Sequence, residues 1–381
     1  MKNTQYSLIA TAFIACTSLS SQAIEIYNDE KTSLNFEGNL AVFYLRNSEG
    51  LSEVNDGFSR YLFNMDHRLK NDWVGIAKME WGVQVSNTDD KIIVNKNSLT
   101  STGPATSSIW LRQGYVGLGH DDYGRLTMGK QWGVSYDVGG VTDWFEIFGG
   151  TSSGTYNFGT DGGFSGSGRA EQAIQYRNSF GDFSFGAQFL ASEDEIHIEG
   201  EDGSDFDATI NFSDSYGVSV IYNFSDIVIG AAYNAVKLNL VAVDTASEKI
   251  DDELFSAFIT YGVYGEQGFH IALAYADMKN HDINDVGQVM TDSTSIELYS
   301  VYRFENDISL ILGYVSLEDK SNIVFGANGN FNENYVVLSA KYHMSDDFYI
   351  FIESKLDNST LSDNTTSLAE DATGLGMMFT F

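Results

Sequence analysis

The 381-residue sequence is short of the features on which most soluble folds and enzymes rely. It has one cysteine, Cys16, and one proline, Pro104. A lone cysteine excludes a disulfide framework, leaving hydrogen bonds and burial as the sources of stability. Basic residues are scarce, 21 Lys and Arg against 53 Asp and Glu, and the net charge of −32 disfavours nucleic acid as a partner because its phosphates would be repelled. Beyond the N-terminal segment there is no run of 18 apolar residues, which excludes a helical membrane span. The six histidines, His67, His120, His197, His270, His281 and His343, form neither a His-x-x-x-His nor a His-Glu-x-x-His zinc pattern. A Gly-x-Ser-x-Gly nucleophile elbow and a phosphate-cradling loop are also missing. The residues therefore point to no catalytic site and no cofactor, and an enzyme is not expected.

What the sequence does have is 37 glycines, 26 Phe, 21 Tyr, 5 Trp and a strong period of two. Lys2, the apolar stretch 8–16 and the small residues of Ser21-Gln22-Ala23 read as a secretory leader spanning 1–23. A lipoprotein signal on Cys16 is the rival reading, but Phe13 suits it poorly. Removal of the leader takes the net charge from −32 to −33, because it contains Lys2 and no acid. In 32–46, Leu34, Phe36, Leu40, Val42 and Tyr44 share one face while Asn35, Glu37 and Asn39 share the other. Similar segments recur at 59–65, 73–85, 109–118, 125–131, 169–176, 183–190, 216–224, 227–234, 254–261, 269–276, 296–304, 308–317, 335–342, 348–356 and 374–381, giving sixteen strands. Short polar turns such as 224–226, 305–307 and 344–347 alternate with long polar segments such as 86–107, 192–215, 279–295 and 357–373.

That plan implies an all-β, sixteen-stranded antiparallel transmembrane barrel. In hydrocarbon every backbone N–H and C=O must be paired, so a sheet spans only by closing on itself. The final strand predicts the closure: Leu375, Met377, Phe379 and Phe381 alternate with Gly374, Gly376, Met378 and Thr380, so the strand would pair with the first one and turn its apolar face to lipid. A soluble β-sandwich would also alternate but leaves the alternating loop lengths unexplained. Sixteen strands enclose a lumen too wide for side chains to fill, so an aqueous channel follows unless a segment folds in. Residues 133–167, with VTDWFEIFGG (141–150) and a glycine-rich continuation, suit that task, and a flexible surface lid is the alternative.

Three stretches carry a family resemblance: WLRQGYVGLGHDDYGRLTMGKQWGVSYD (110–137), VTDWFEIFGG (141–150) and GRAEQAIQYRNSFGDFSFGAQF (168–189). They resemble consecutive parts of the general diffusion porins of Gram-negative outer membranes, and the pattern extends more weakly to both ends. The resemblance implies a bacterial outer-membrane protein, a homotrimer of barrels each with its third long loop folded inward, contacting outer-membrane lipid and lipopolysaccharide and passing small hydrophilic solutes and ions. It implies a ladder of wall arginines facing acids on the loop. By position in the motifs, Arg112, Arg169 and Arg60 match the ladder and Asp143 matches a loop acid. Glu146 stands where the family commonly has proline and Ile147 where it has glutamate, so Glu146 is a further constriction candidate. Asn39 occupies the place of a wall lysine.

The residues support part of this assignment. A guanidinium facing lipid at mid-depth costs on the order of 2–4 kcal/mol, which favours the lumen for Arg112, Arg60 and, with Glu80 and Glu171, Lys78. Snorkelling at the interface is the alternative. The expected function is a passive, water-filled diffusion channel with weak cation selectivity. A solute-specific porin would instead need an aromatic track, for which Trp144, Phe145, Phe148 and Tyr156 are candidates, and a non-conducting adhesin is a further alternative. No metal site is assigned, although Asp202, Asp205 and Asp207 are spaced as calcium ligands sometimes are; a solvated acidic loop is the simpler reading.

Overall fold

A computed structural model describes residues 23–86, 108–150, 153–158, 160–191, 194–199, 207–242, 248–285, 287–321, 329–362 and 370–381. Residues 1–22 of the expected leader, Asp202, Asp205 and the side chain of Asp207 lie outside the described residues.

In chain order the strands are β1 (Ile24–Asn28), β2 (Thr32–Asn47), β3 (Ser52–Asp56), β4 (Arg60–Arg68), β5 (Val74–Val83), β6 (Ile109–His120), β7 (Gly124–Trp132), β8 (Arg169–Phe180), β9 (Phe183–Leu190), β10 (Asp194–Glu199) and β11 (Asp207–Phe224). They continue with β12 (Ile227–Ala242), β13 (Glu248–Tyr261), β14 (Gly268–Lys279), β15 (Asp282–Ile283), β16 (Val289–Met290), β17 (Ser293–Arg303), β18 (Ile308–Asp319), β19 (Asn332–His343), β20 (Phe348–Asp357) and β21 (Ala372–Thr380). Sixteen of them close an antiparallel barrel. The ring runs β2, β4 to β9, β11 to β14 and β17 to β21, and β21 returns to β2. Each expected segment is one of these sixteen. The remaining strands are accessories: β1 and β3 extend the ladder of β2, β10 extends β11, and β15 pairs with β16.

The closing register is Leu40 to Phe379, Val42 to Met377 and Tyr44 to Leu375. Leu375, Met377 and Phe379 are exposed on the outer face, while Phe43 and Leu45 are buried on the inner one. Phe381 exchanges backbone bonds of 2.7 and 2.9 Å with Gly38 and lays its ring against Phe36, with centroids 5.2 Å apart. A Cβ on Gly38 would come within 2.9 Å of that ring, so this glycine makes room for the terminal residue. Exposed aromatics band the outer surface: Phe224, Tyr261, Phe269 and Tyr302 near the short turns, and Tyr44, Tyr216, Tyr233 and Tyr275 further along the strands. Such paired girdles suit the two interfaces of a bilayer.

One expectation about the connections needs correction. The segment expected as a long loop at 192–215 contains β10 and the first residues of β11, and β12 and β13 run on to residues 242 and 248. Beyond the apolar band both faces of a strand meet water, so the ladder continues after the hydropathy signal has ended. The turn between β13 and β14, on the short-turn side, is longer than its neighbours at residues 262–267.

Candidate pore site

Side chains that oppose the outward apolar residues line the inside of the barrel, and one stretch of that lining is charged. Glu80 is buried on β5 and accepts hydrogen bonds from Arg112 Nε at 2.7 Å and Gln113 Nε2 at 2.5 Å, with Lys78 Nζ 3.6 Å away. Arg112 and Gln113 are adjacent on β6, yet both are buried, because the β5–β6 register slips between Glu80 and Trp81. A bulge of this kind re-aims side chains that strict alternation would send to opposite faces. Arg60 pairs across the ladder with Gly82, on the face of Glu80 and Lys78. Arg60, Arg112 and Arg169 lie within electrostatic reach of Glu80. The structure thus gathers Arg60, Lys78, Glu80, Arg112 and Arg169 into one cluster. The expected lysine position, Asn39, is buried on the inner face and donates to the Phe58 carbonyl at 3.4 Å.

The connection between β7 and β8 packs inside this lining. It begins with the one-turn helix α1 (Tyr136–Gly139) and a 3-10 turn at Gly140–Thr142. Arg177 of β8 holds its start, donating to both oxygens of Asp137 at 3.0 and 3.1 Å, and Ser219 adds a third bond at 3.0 Å. Val138 and Val141 pack on Ile221, Ala232, Phe258, Ala272 and Ala274, where small wall residues leave space. The chain then crosses to β17–β21. The amides of Glu146, Ile147 and Phe148 donate to the buried Glu353 carboxylate at 3.2, 2.8 and 2.8 Å, and Gly150 donates to Glu297 at 3.0 Å. Wall glycines act as sockets: a Cβ on Gly313 would collide with the Phe145 ring, and one on Gly374 with Ile147. Further along, buried His281 donates from Nε2 to the Gly154 carbonyl at 2.9 Å and meets Asp252 through Nδ1 at 2.6 Å.

The two loop acids expected at the constriction have different surroundings. Asp143 is half-buried and accepts the Tyr136 hydroxyl at 2.6 Å. Glu146 is buried in an ion pair with Lys341 of β19 and accepts the Tyr349 hydroxyl at 3.1 Å. Glu146 is therefore brought to the wall rather than to the arginines, a correction to its expected placement. The acid that does reach the ladder is Asp161, 3.2 Å from Arg169 and 3.5 Å from Lys130. Burial alone would raise its carboxyl, but the Arg169 and Lys130 cations outweigh that and hold it below the ordinary carboxylate range. Glu171 pairs with Lys130 at 2.6 Å, and Trp132 stacks on Tyr136 with Arg169 over its ring.

Sequence reasoning missed Asp161, Lys130, Glu297, Lys341 and Glu353. Alternation does put Glu353 on the inner face, opposite Ile350 and Ile352, but its partners are backbone amides some two hundred residues away. Three of the four candidates for an aromatic track are taken up by packing. Trp144 stacks on Tyr264 at 3.9 Å, Phe145 meets Tyr299 edge-on at 5.0 Å, and Phe148 is buried against wall residues.

A closed barrel whose charged inner face is overlain by one long connection is the architecture of an outer-membrane channel. The family model for the Gram-negative porins matches residues 10–360, and the chain belongs to that family. It is similar to the outer membrane porin PhoE of Enterobacter cloacae, 25% identical over 386 residues, and to outer membrane porin N of Escherichia coli K12, 23% over 407, with all of both chains covered in each case. Its fold is similar to that of Salmonella typhi OmpF solved with daunomycin, with a TM-score of 0.69, 19% identity, and coverage of 94% of this chain and 100% of the other. Vibrio cholerae OmpT in its trimer form follows at 0.63 and 15%, covering 92% and 100%. The protein is a passive diffusion channel of the bacterial outer membrane.

Proposed function

We propose that residues 133–167 form the constriction of this channel and that solutes pass between the loop and the cluster of Arg60, Lys78, Arg112 and Arg169. The observation that carries the reading is the attachment of 146–150 to Glu353 of β20 and Glu297 of β17, strands that do not carry the arginines. A loop held there leaves the arginine wall facing the solute path. The charges along that path nearly balance, with Glu80, Asp143, Asp161 and Glu171 against the cations. Selectivity is then left mainly to the outer loops of a chain with net charge −32, which concentrate cations at the mouth. Weak cation preference follows.

The assembly is a homotrimer in contact with lipid and lipopolysaccharide, in keeping with the trimer form of the Vibrio cholerae relative. Residues 1–23 act as the leader that exports the chain. The sugar-specific reading finds no support in Trp144, Phe145 and Phe148, whose rings pack against Tyr264, Tyr299 and the barrel wall. The test is single-channel current across a salt gradient in a planar bilayer. Steps that close in threes with a small cation-favouring reversal potential support the proposal. A reversal potential at or beyond neutrality toward anions removes the selectivity, and absence of current from folded protein removes the open constriction.

A further inference from the structure

A side chain from the short-side turn at 262–267 meets the loop between β7 and β8. Gly262, Gly265 and Gly268 have φ of +79°, +86° and +111°, in the left-handed region that glycine enters without strain, and they give the turn its shape. Two wall side chains hold it: His270 Nδ1 lies 3.1 Å from the Gly262 carbonyl, and Arg303 donates to the Gly265 carbonyl at 2.7 Å. Held this way, Tyr264 is half-buried while its neighbour Val263 is exposed. The Tyr264 ring stacks on Trp144, centroids 3.9 Å apart and planes 20° from parallel, and meets His270 and Tyr299 edge-on at 5.7 and 5.9 Å. Trp144 comes from a connection on the long-loop side of the barrel and Tyr264 from a turn on the opposite side, so the two ends of the barrel touch through this pair. The indole also donates to the Val141 carbonyl at 3.1 Å, which ties the stack to the first turn of the loop.

The carboxylates of Glu353 and Glu297 fix the loop only from residue 146 onward. The stretch before it has the aromatic pair as its lower support. We propose that Tyr264 is a positioning residue for conduction: the short turn projects it into the lumen as a floor on which Trp144 rests, and this contact holds the loop tip in its open position. The inference rests on the reading of 133–167 as the constriction.

The test uses the trimer in planar bilayers together with a cross-linking readout that does not depend on current. Tyr264→Ala should bring voltage-driven closures that are about tenfold more frequent, the change in population that one lost aromatic pair supports. Tyr264→Phe and the exposed-side control Val263→Ala should match the parent. Trp144→Ala should reproduce the effect, and the Tyr264→Ala/Trp144→Ala double variant should add nothing to it. Because Cys16 is the chain's one cysteine and lies in the expected leader, the pair Trp144→Cys with Tyr264→Cys should be joined by a short bis-maleimide, each thiol adding to one maleimide, in the folded trimer. Absence of the cross-link overturns the inference whether or not the channel conducts, and so does an unchanged closure frequency in a conducting Tyr264→Ala channel. Failure of the constriction reading has a different signature, a loop whose charge substitutions leave the reversal potential unmoved while the cross-link still forms.

Discussion

The two sides of the lumen use the same residue types for opposite purposes. On β4 to β8 the charges pair with one another: Arg60, Lys78 and Arg112 surround the wall acid Glu80, and Arg169 meets Asp161 of the loop. On β17 to β20 the buried acids Glu297 and Glu353 are met by backbone amides of the loop, and the buried Lys341 is taken by Glu146. A carboxylate satisfied by backbone N–H groups is a fastening, whereas charged side chains paired with one another along the path set the field that a passing ion meets. The comparison teaches that charge along a pore wall has to be sorted by partner before it is counted toward selectivity.

The fastening side should give the largest response. Glu353→Ala removes the acceptor of three amides, each hydrogen bond to a charged group being worth about 1.5–3 kcal/mol, so the loop should detach. Chymotrypsin should then cut at Trp144 and Phe145 in the folded barrel, and single-channel current should become noisy. Retained protection would show that the packing of Phe145 and Ile147 in their glycine sockets suffices. Next, Glu146→Ala leaves Lys341 buried without its partner, and breaking such a pair costs about 3–5 kcal/mol, to be read as lower stability in urea unfolding from lipid. The reversal potential should stay close to the parent value; a marked anion shift would return Glu146 to the solute path.

The arginine side should respond in selectivity. Arg112→Ala should move the reversal potential further toward cations, because Glu80 loses the cation that lies closest to it, at 2.7 Å. An unchanged reversal potential would place the solute path elsewhere. The smallest effect concerns the His281 latch on Gly154. Burial alone would lower His281, but Asp252, helped by Asp282, outweighs it and raises the imidazole above its ordinary value of 6.5. Protonated imidazole therefore adds stability that is fully present below about pH 6.5 and lost as pH rises through the folded value. Hydrogen exchange at residues 153–158 should quicken over that alkaline climb, and His281→Asn should flatten the profile.

Much of this protein was legible in its sequence because the bilayer imposes a local rule. Every strand must alternate and every backbone group must pair, so the sixteen segments, the outward face of Leu375, Met377 and Phe379, and the inward side of Arg60, Lys78 and Glu80 could be read from period two alone. Arg112 shows where that rule ends. Alternation separates it from Gln113, and only the slip of register between Glu80 and Trp81 turns both inward. The site beyond the wall was decided by tertiary structure. Nothing local in the sequence near Glu353 marks it as the anchor of residues 146–148, nor does anything near Tyr264 mark it as the partner of Trp144. Those contacts join segments about two hundred and about one hundred and twenty residues apart. Periodicity records which face a side chain takes, because that depends on its own backbone. Which partner awaits it there depends on how the rest of the chain closes around the lumen.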